Sequence, residues 1–359
     1  MKNKILITGN EAIGEAAIIA GCRFYAGYPI TPQNELTAYM AKRMKEMGGV
    51  FIQAESEIAA VNMVFGASVT GARAMTSSSS PGISLKQEGI SYLAGCELPA
   101  VIINIMRGGP GLGNISPSQA DYFQATKGGG HGDYHCIVLA PSTVQEAMDL
   151  TILAFDLADI YRTPVIILGD GMLGQMMEPI EKRKAQSLPA GRQGEKRKTF
   201  EKSWALTGAK NRKPNIIRSL YLGEGVLEEL NIRLQKRYQE ITQKEKRFEV
   251  LNLDDAEVIL TAYGSMARIC KSVVQDLRKE GVKVGFIRPI SLWPFPSEVF
   301  ARAAERVKNF LVVEMSSGQM LEDVQLAVGG KAKIDFYGRM GGGIPEEEEI
   351  IKRIKNIIK

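Results

Sequence analysis

Glu57, Arg107 and the run Ser77-Ser78-Ser79-Ser80-Pro81 are the residues of this 359-residue chain best placed to do chemistry, because each falls just past a short apolar run. A carboxylate there can hold or accept a proton, and a guanidinium offers a charged fork to an anionic group. Thr31 adds a hydroxyl on the turn Gly27-Tyr28-Pro29-Ile30-Thr31-Pro32. Its prolines deny the backbone both helix and central-strand pairing, so the turn is stiff and extended. Plainer readings fit the same residues. Glu57 in the first turn of a helix complements the macrodipole by roughly 0.3 to 1 kcal/mol. Thr31 and Pro32 equally suit the N-cap and first position of a helix over 33–47. Glu55 lies two residues before Glu57, and spacing does not say which is buried.

These residues are positioned by a strand over 50–54, a helix opening at Glu57, a strand over 72–76, a Gly/Pro loop, a second helix and a strand over 100–106. Two such strand-helix-strand units joined by short turns bury their apolar runs as a parallel sheet covered on both faces. Ligands then belong at the carboxyl ends of the strands. Upstream, a strand over 4–8 precedes a helix over 11–20 with Asn10 as N-cap, and a strand spans 23–26. Downstream, strands over 137–140 and 164–168 flank a helix over 144–157. The segment 181–203 is polar and basic with Pro and Gly at its centre, and 221–248 is a charged helical stretch. From about Ala256 strands and helices alternate again, with Glu314 the polar residue to watch. The expected architecture is therefore α/β, with two parallel-sheet domains over 1–180 and 256–359 separated by a linker region over 181–255.

The remaining features narrow the chemistry. Four cysteines far apart in sequence, with no CxxC pair, lack both zinc and iron-sulfur cluster spacing. His131 and His135 are the only histidines, and the glycines beside His131 argue against a helical metal pair. Gly108 to Asn114 matches neither GxGxxG nor the P-loop, and Lys127 to Asp133 suits either an anion nest or a mobile loop. Gly169-Asp170-Gly171 opens like the motif by which thiamine-diphosphate enzymes hold Mg²⁺, but the required asparagine is missing from EKRKTFE, so it reads as a loop. The net charge of +5 comes with no aromatic interleaving, and no run is long and apolar enough for a membrane span; nucleic acid and membrane are not expected partners, and the expected compartment is the cytoplasm.

The strings GNEA, AGYPITPQNE, QAESEIAAVNMVFGA, MTSSSSPGISLKQEGISYLAG, NIMRGGPGLGNISPSQADYFQATKGGGHGDY and IRPISLWPFP resemble the alpha-type subunit of 2-oxoacid:ferredoxin oxidoreductases, most closely the 3-methyl-2-oxobutanoate (2-ketoisovalerate) type. The resemblance covers nearly the whole chain apart from the basic linker. It implies a thiamine-diphosphate pyrimidine-binding fold followed by a transketolase C-terminal-like domain. It places Glu57 against N1′ of the cofactor's aminopyrimidine, with Tyr28 and Pro29 beside the cofactor, and Thr31 and Arg107 on the 2-oxoacid. The implied reaction is oxidative decarboxylation to acyl-CoA and CO₂ with electrons passed to ferredoxin, coenzyme A being a co-substrate. The Mg²⁺-diphosphate end and the [4Fe-4S] clusters would then belong to a beta-type subunit, a gamma-type subunit and a ferredoxin-like subunit.

Overall fold

The computed structural model describes residues 4–182 and 201–358, so residues 183–200 of the expected linker lie outside the described residues. The first part of the chain runs β1 (Lys4–Thr8), α1 (Gly9–Ile19), β2 (Phe24–Gly27), α2 (Asn34–Glu46), β3 (Val50–Gln53), α3 (Glu57–Val69), β4 (Ala74–Ser78), α4 (Ser80–Gly95) and β5 (Ala100–Met106). It continues with α5 (Tyr122–Thr126), β6 (Ile137–Leu139), α6 (Val144–Tyr161), β7 (Pro164–Asp170), α7 (Gly171–Gln175) and β8 (Met177–Glu181). After α8 (Val226–Lys244) come β9 (Phe248–Leu251), β10 (Val258–Thr261), α9 (Gly264–Lys279), β11 (Val284–Pro289), β12 (Ser291–Trp293), α10 (Ser297–Arg306), β13 (Asn309–Glu314), α11 (Gln319–Val328), β14 (Lys333–Gly338) and α12 (Glu347–Ile358).

Among the described residues these strands form a seven-stranded sheet of order β12-β6-β7-β5-β4-β2-β3 and a five-stranded sheet of order β14-β13-β10-β11-β9. Pairing is parallel within each except at the edge strands β12 and β9, which are antiparallel. β5 carries Ala-Val-Ile-Ile-Asn-Ile-Met with every residue buried, the mark of a central strand covered on both faces. Each buried Val or Ile there contributes roughly 1.5 to 3 kcal/mol. α3 and α4 pack closely because α4 is small at Gly89: a Cβ there would sit 2.5 Å from Val61 Cγ1. An alanine would push the two helices apart.

Several local expectations are corrected. Asn10 does not cap α1; the helix starts at Gly9, and Thr8 caps it in a capping box with Glu11. Asn10 instead donates to Pro32 O at 2.8 Å and to Glu35 at 2.9 Å. Thr31 does not cap α2, whose N-cap is Gln33. The Gly/Pro loop after Thr76 is absent: β4 runs through Ser78, Ser79 is the N-cap, and α4 begins at Ser80. Asp170 is not in a loop but ends β7 and caps α7, accepting from the Met172 and Leu173 amides. Past β11 the chain leaves the second sheet, and Ser291–Trp293 pairs with β6 of the first. β1 pairs only with β8, as a separate antiparallel ribbon.

The two sheets are joined at defined points. Gln119 Nε2 donates to Tyr263 O at 2.9 Å, its Oε1 accepts from Met315 N at 3.0 Å, and its own amide donates to Met315 O. Arg288 of β11, almost fully buried, reaches Glu146 of α6 and Glu249 of β9. Desolvation works against the Glu146 carboxylate, but hydrogen bonding and charge from Arg288 hold its pKa below the ordinary value. Removing the partially exposed carboxylates would leave the buried Arg288 guanidinium without a counter-charge, which is unfavourable.

Candidate active site

The sheet order brings the carboxyl ends of β5, β4, β2 and β3 side by side, so Arg107, Ser80, the 28–33 turn and Glu57 share one edge. Glu57 is the first residue of α3, whose N-cap Ser56 accepts from Ala59 N at 3.2 Å. It is 6% exposed, while Glu55 is exposed, which answers which of the two is buried. No described residue donates a hydrogen bond to the Glu57 carboxylate. Gly82 lies against it: a Cβ there would meet Glu57 Oε1 at 2.6 Å and collide with the Ser78 hydroxyl. The Ser78 and Ser79 hydroxyls are buried without partners. Buried polar atoms left unpaired are costly, so this edge is shaped for a polar ligand.

Under the site lies a network that sequence reasoning missed. Tyr25 Oη meets Ser77 Oγ at 2.6 Å and Thr37 Oγ1 at 3.0 Å, while Ser77 and Thr37 both donate to Gln33 Oε1. Gln33 thereby fixes the far end of the 28–33 turn. On that turn Tyr28 is exposed, Pro29 is half-buried, and the half-buried Thr31 hydroxyl accepts from Asn34 Nδ2 at 3.2 Å.

Arg107 and Thr31 are brought into direct contact. Arg107 Nη1 donates to Thr31 O at 3.0 Å and Nη2 to Leu112 O at 3.0 Å, so one guanidinium ties the 28–33 turn to the loop after β5. Its Nε is buried with no partner. With two of five N–H groups engaged by backbone, the rest of the fork is free for an anion. Ser80 anchors the same corner: its hydroxyl accepts from Arg107 N at 3.0 Å and reaches Asp121 at 2.6 Å, and its amide donates to Asn104. Burial holds the Asp121 carboxyl above the usual range, and hydrogen bonds from Ser80 and Asn104 work against that.

Other candidates lie elsewhere. His135 stacks on Trp293 with ring centroids 4.5 Å apart, and His131 turns its ring edge on Tyr92. In the glycine loop, Gly129 and Gly130 pack against Gln87 of α4. Glu314 is buried, but Ser316 Oγ and the amides of Met320 and Leu321 already fill its oxygens.

Fold and site define an α/β subunit of the thiamine-diphosphate class. The family model described as pyruvate flavodoxin/ferredoxin oxidoreductase, thiamine diphosphate-binding, matches residues 15–246, and that of pyruvate:ferredoxin oxidoreductase core domain II matches 256–350. The chain belongs to this family, as an oxidoreductase subunit of the 2-oxoacid:ferredoxin oxidoreductase type. It is 49% identical over 354 residues to ketoisovalerate oxidoreductase subunit VorB of Methanothermobacter marburgensis, covering 98% of this chain and 97% of that one. It is 37% identical to 2-oxoglutarate synthase subunit KorA of Methanothermobacter thermautotrophicus, over 99% of both. Among solved structures it matches 2-oxoglutarate:ferredoxin oxidoreductase from Magnetococcus marinus, with 2-oxoglutarate, coenzyme A and succinyl-CoA bound, at TM-score 0.88 and 30% identity. All of this chain is covered there, and 66% of the solved chain. No described helix is long and apolar enough to cross a membrane.

Proposed function

We propose that this chain is the pyrimidine-binding half of an oxidoreductase that decarboxylates 3-methyl-2-oxobutanoate oxidatively, giving CO₂ and an acyl-CoA and passing electrons to ferredoxin. The observation that carries the reading is the buried Glu57 carboxylate with no hydrogen-bond donor among the described residues, beside two unpaired serine hydroxyls. These residues fit a thiamine diphosphate aminopyrimidine, which would supply the donor that the Glu57 carboxylate lacks. Bound there, thiamine diphosphate supplies the carbanion chemistry. The Glu57 carboxylate accepts a hydrogen bond at the pyrimidine side of the site, where little water competes. Arg107 offers its remaining N–H groups to the 2-oxoacid carboxylate, and Thr31, held by Arg107 through its carbonyl, fixes the approach of the turn. Tyr28 and Pro29 line that turn beside the cofactor. Residues 1–180 form the cofactor domain in this reading, and 256–359 the transketolase C-terminal-like domain.

The branched-chain substrate is favoured by the higher identity to the ketoisovalerate subunit than to the 2-oxoglutarate subunit. The Mg²⁺-diphosphate end and the [4Fe-4S] clusters belong to beta-type, gamma-type and ferredoxin-like partners in the cytoplasm. Exposed Ile58, Leu85, Leu112 and Ile115, carried by the elements that bear the site, support a partner packed over its mouth. Co-expression with the neighbouring subunits, followed by a screen of 2-oxoacids for CoA-dependent reduction of ferredoxin, tests the reading. 3-Methyl-2-oxobutanoate is expected to give the highest kcat/KM; a preference for 2-oxoglutarate or pyruvate would overturn the substrate assignment.

A further inference from the structure

Lys86 is an unusual residue to find inside α4: its side chain is fully buried, in the core of the layer that carries the site. Its ammonium donates to Glu57 O at 3.3 Å and to Thr76 Oγ1 at 3.1 Å. It therefore ties three elements together, with α4 holding the first turn of α3 against β4. Both of those acceptors are neutral. Among the described residues the charge that acts on the ammonium is that of Glu57, while β4 contributes only the Thr76 hydroxyl. A buried cation is costly without a counter-charge, and a buried carboxylate is equally so. The two sit on adjacent helices where α3 and α4 are in close contact, with Lys86 fully buried and Glu57 6% exposed.

We propose that Lys86 is a positioning residue for Glu57: it pins the main chain that carries the carboxylate and places a positive charge behind it, so that the carboxylate faces the aminopyrimidine. The inference rests on the reading of Glu57 as the pyrimidine's acceptor. Desolvation lowers the Lys86 pKa to about 8, with attraction from Glu57 opposing the fall. Its charge is therefore present near neutrality and lost above that range.

The test is a double-mutant cycle read as thiamine diphosphate affinity of the assembled complex by calorimetry. Lys86→Met is close in length and apolar, a replacement that buried sites tolerate. Lys86→Gln keeps a donor without the charge. Each is expected to weaken thiamine diphosphate binding about tenfold in the wild-type background and not at all in the Glu57→Gln background, a coupling within the range for residues in contact. Wild-type affinity is expected to fall above about pH 8, and affinity of the Lys86→Met complex to stay level there. Equal losses in both backgrounds, wild-type affinity in Lys86→Gln, or identical pH profiles would overturn the inference. If instead Glu57→Gln alone left affinity and turnover unchanged, the underlying reading of Glu57 would fail first.

Discussion

Two buried glutamates lie on the carboxyl side of strands, Glu314 as the last residue of β13 and Glu57 opening α3 after β3, and their surroundings are opposite. Glu314 ends β13 and is closed: Leu321 N donates to one oxygen at 2.9 Å, and Met320 N and Ser316 Oγ donate to the other at 3.0 and 2.8 Å. Burial still pushes its carboxyl above the ordinary range, against those bonds. Glu57 opens α3 and is also buried, and although its backbone carbonyl accepts from Lys86, its carboxylate receives no hydrogen bond from a described residue. Burial alone therefore does not mark a functional acid. What distinguishes the two is whether the fold has already used the oxygens.

Substitutions at the two positions should separate accordingly. Glu57→Gln in the assembled complex is expected to lower 2-oxoacid turnover by about 10² to 10⁴-fold at saturating thiamine diphosphate, the range for a positioned acid–base group, with thermal stability little changed; steady-state rates beside a melting curve check it. Lys86, tied to the open glutamate, gives the next effect. Because burial lowers its pKa from 10.5 to about 8, the unfolded chain holds a proton over that window that the folded chain has released. Folding stability of the wild type should then rise with pH from about 8 to 10.5 relative to Lys86→Met, by on the order of 3 kcal/mol. Paired urea titrations across that range measure the difference. Glu314→Gln is expected to cost about 1 to 3 kcal/mol of stability, since its NH₂ would face a backbone N–H donor, while thiamine diphosphate affinity stays within about twofold. A Glu314 variant that folds normally but fails to bind the cofactor would erase the contrast between the two acids.

The sequence made some of this legible and hid the rest for identifiable reasons. β5 is bounded as expected because seven consecutive buried residues leave no ambiguity in a central strand. The helix at Glu57 is likewise legible from its small and apolar residues. Ser77 and Ser78 read as part of a Gly/Pro loop; in the fold they end a buried strand, where Ser77 is held by Tyr25 and Gln33, which are distant in sequence. Nothing in SLKQEG singles out Lys86, and only the packing of α4 against α3 and β4 buries it. The Gly-Asp-Gly string reads as a loop from its glycines, whereas Asp170 is buried and receives the Ser265 hydroxyl from the second domain. The division of IRPISLWPF between two sheets depends on contacts that no local pattern encodes.

The most direct measurement is a density map of the assembled complex with thiamine diphosphate bound. A Glu57 carboxylate oxygen is expected within about 2.6 to 3.2 Å of the aminopyrimidine N1′, the reach of a working acid–base pair, with Lys86 behind it. A map in which the ring lies elsewhere and Glu57 points into solvent or onto a partner's side chain would contradict it.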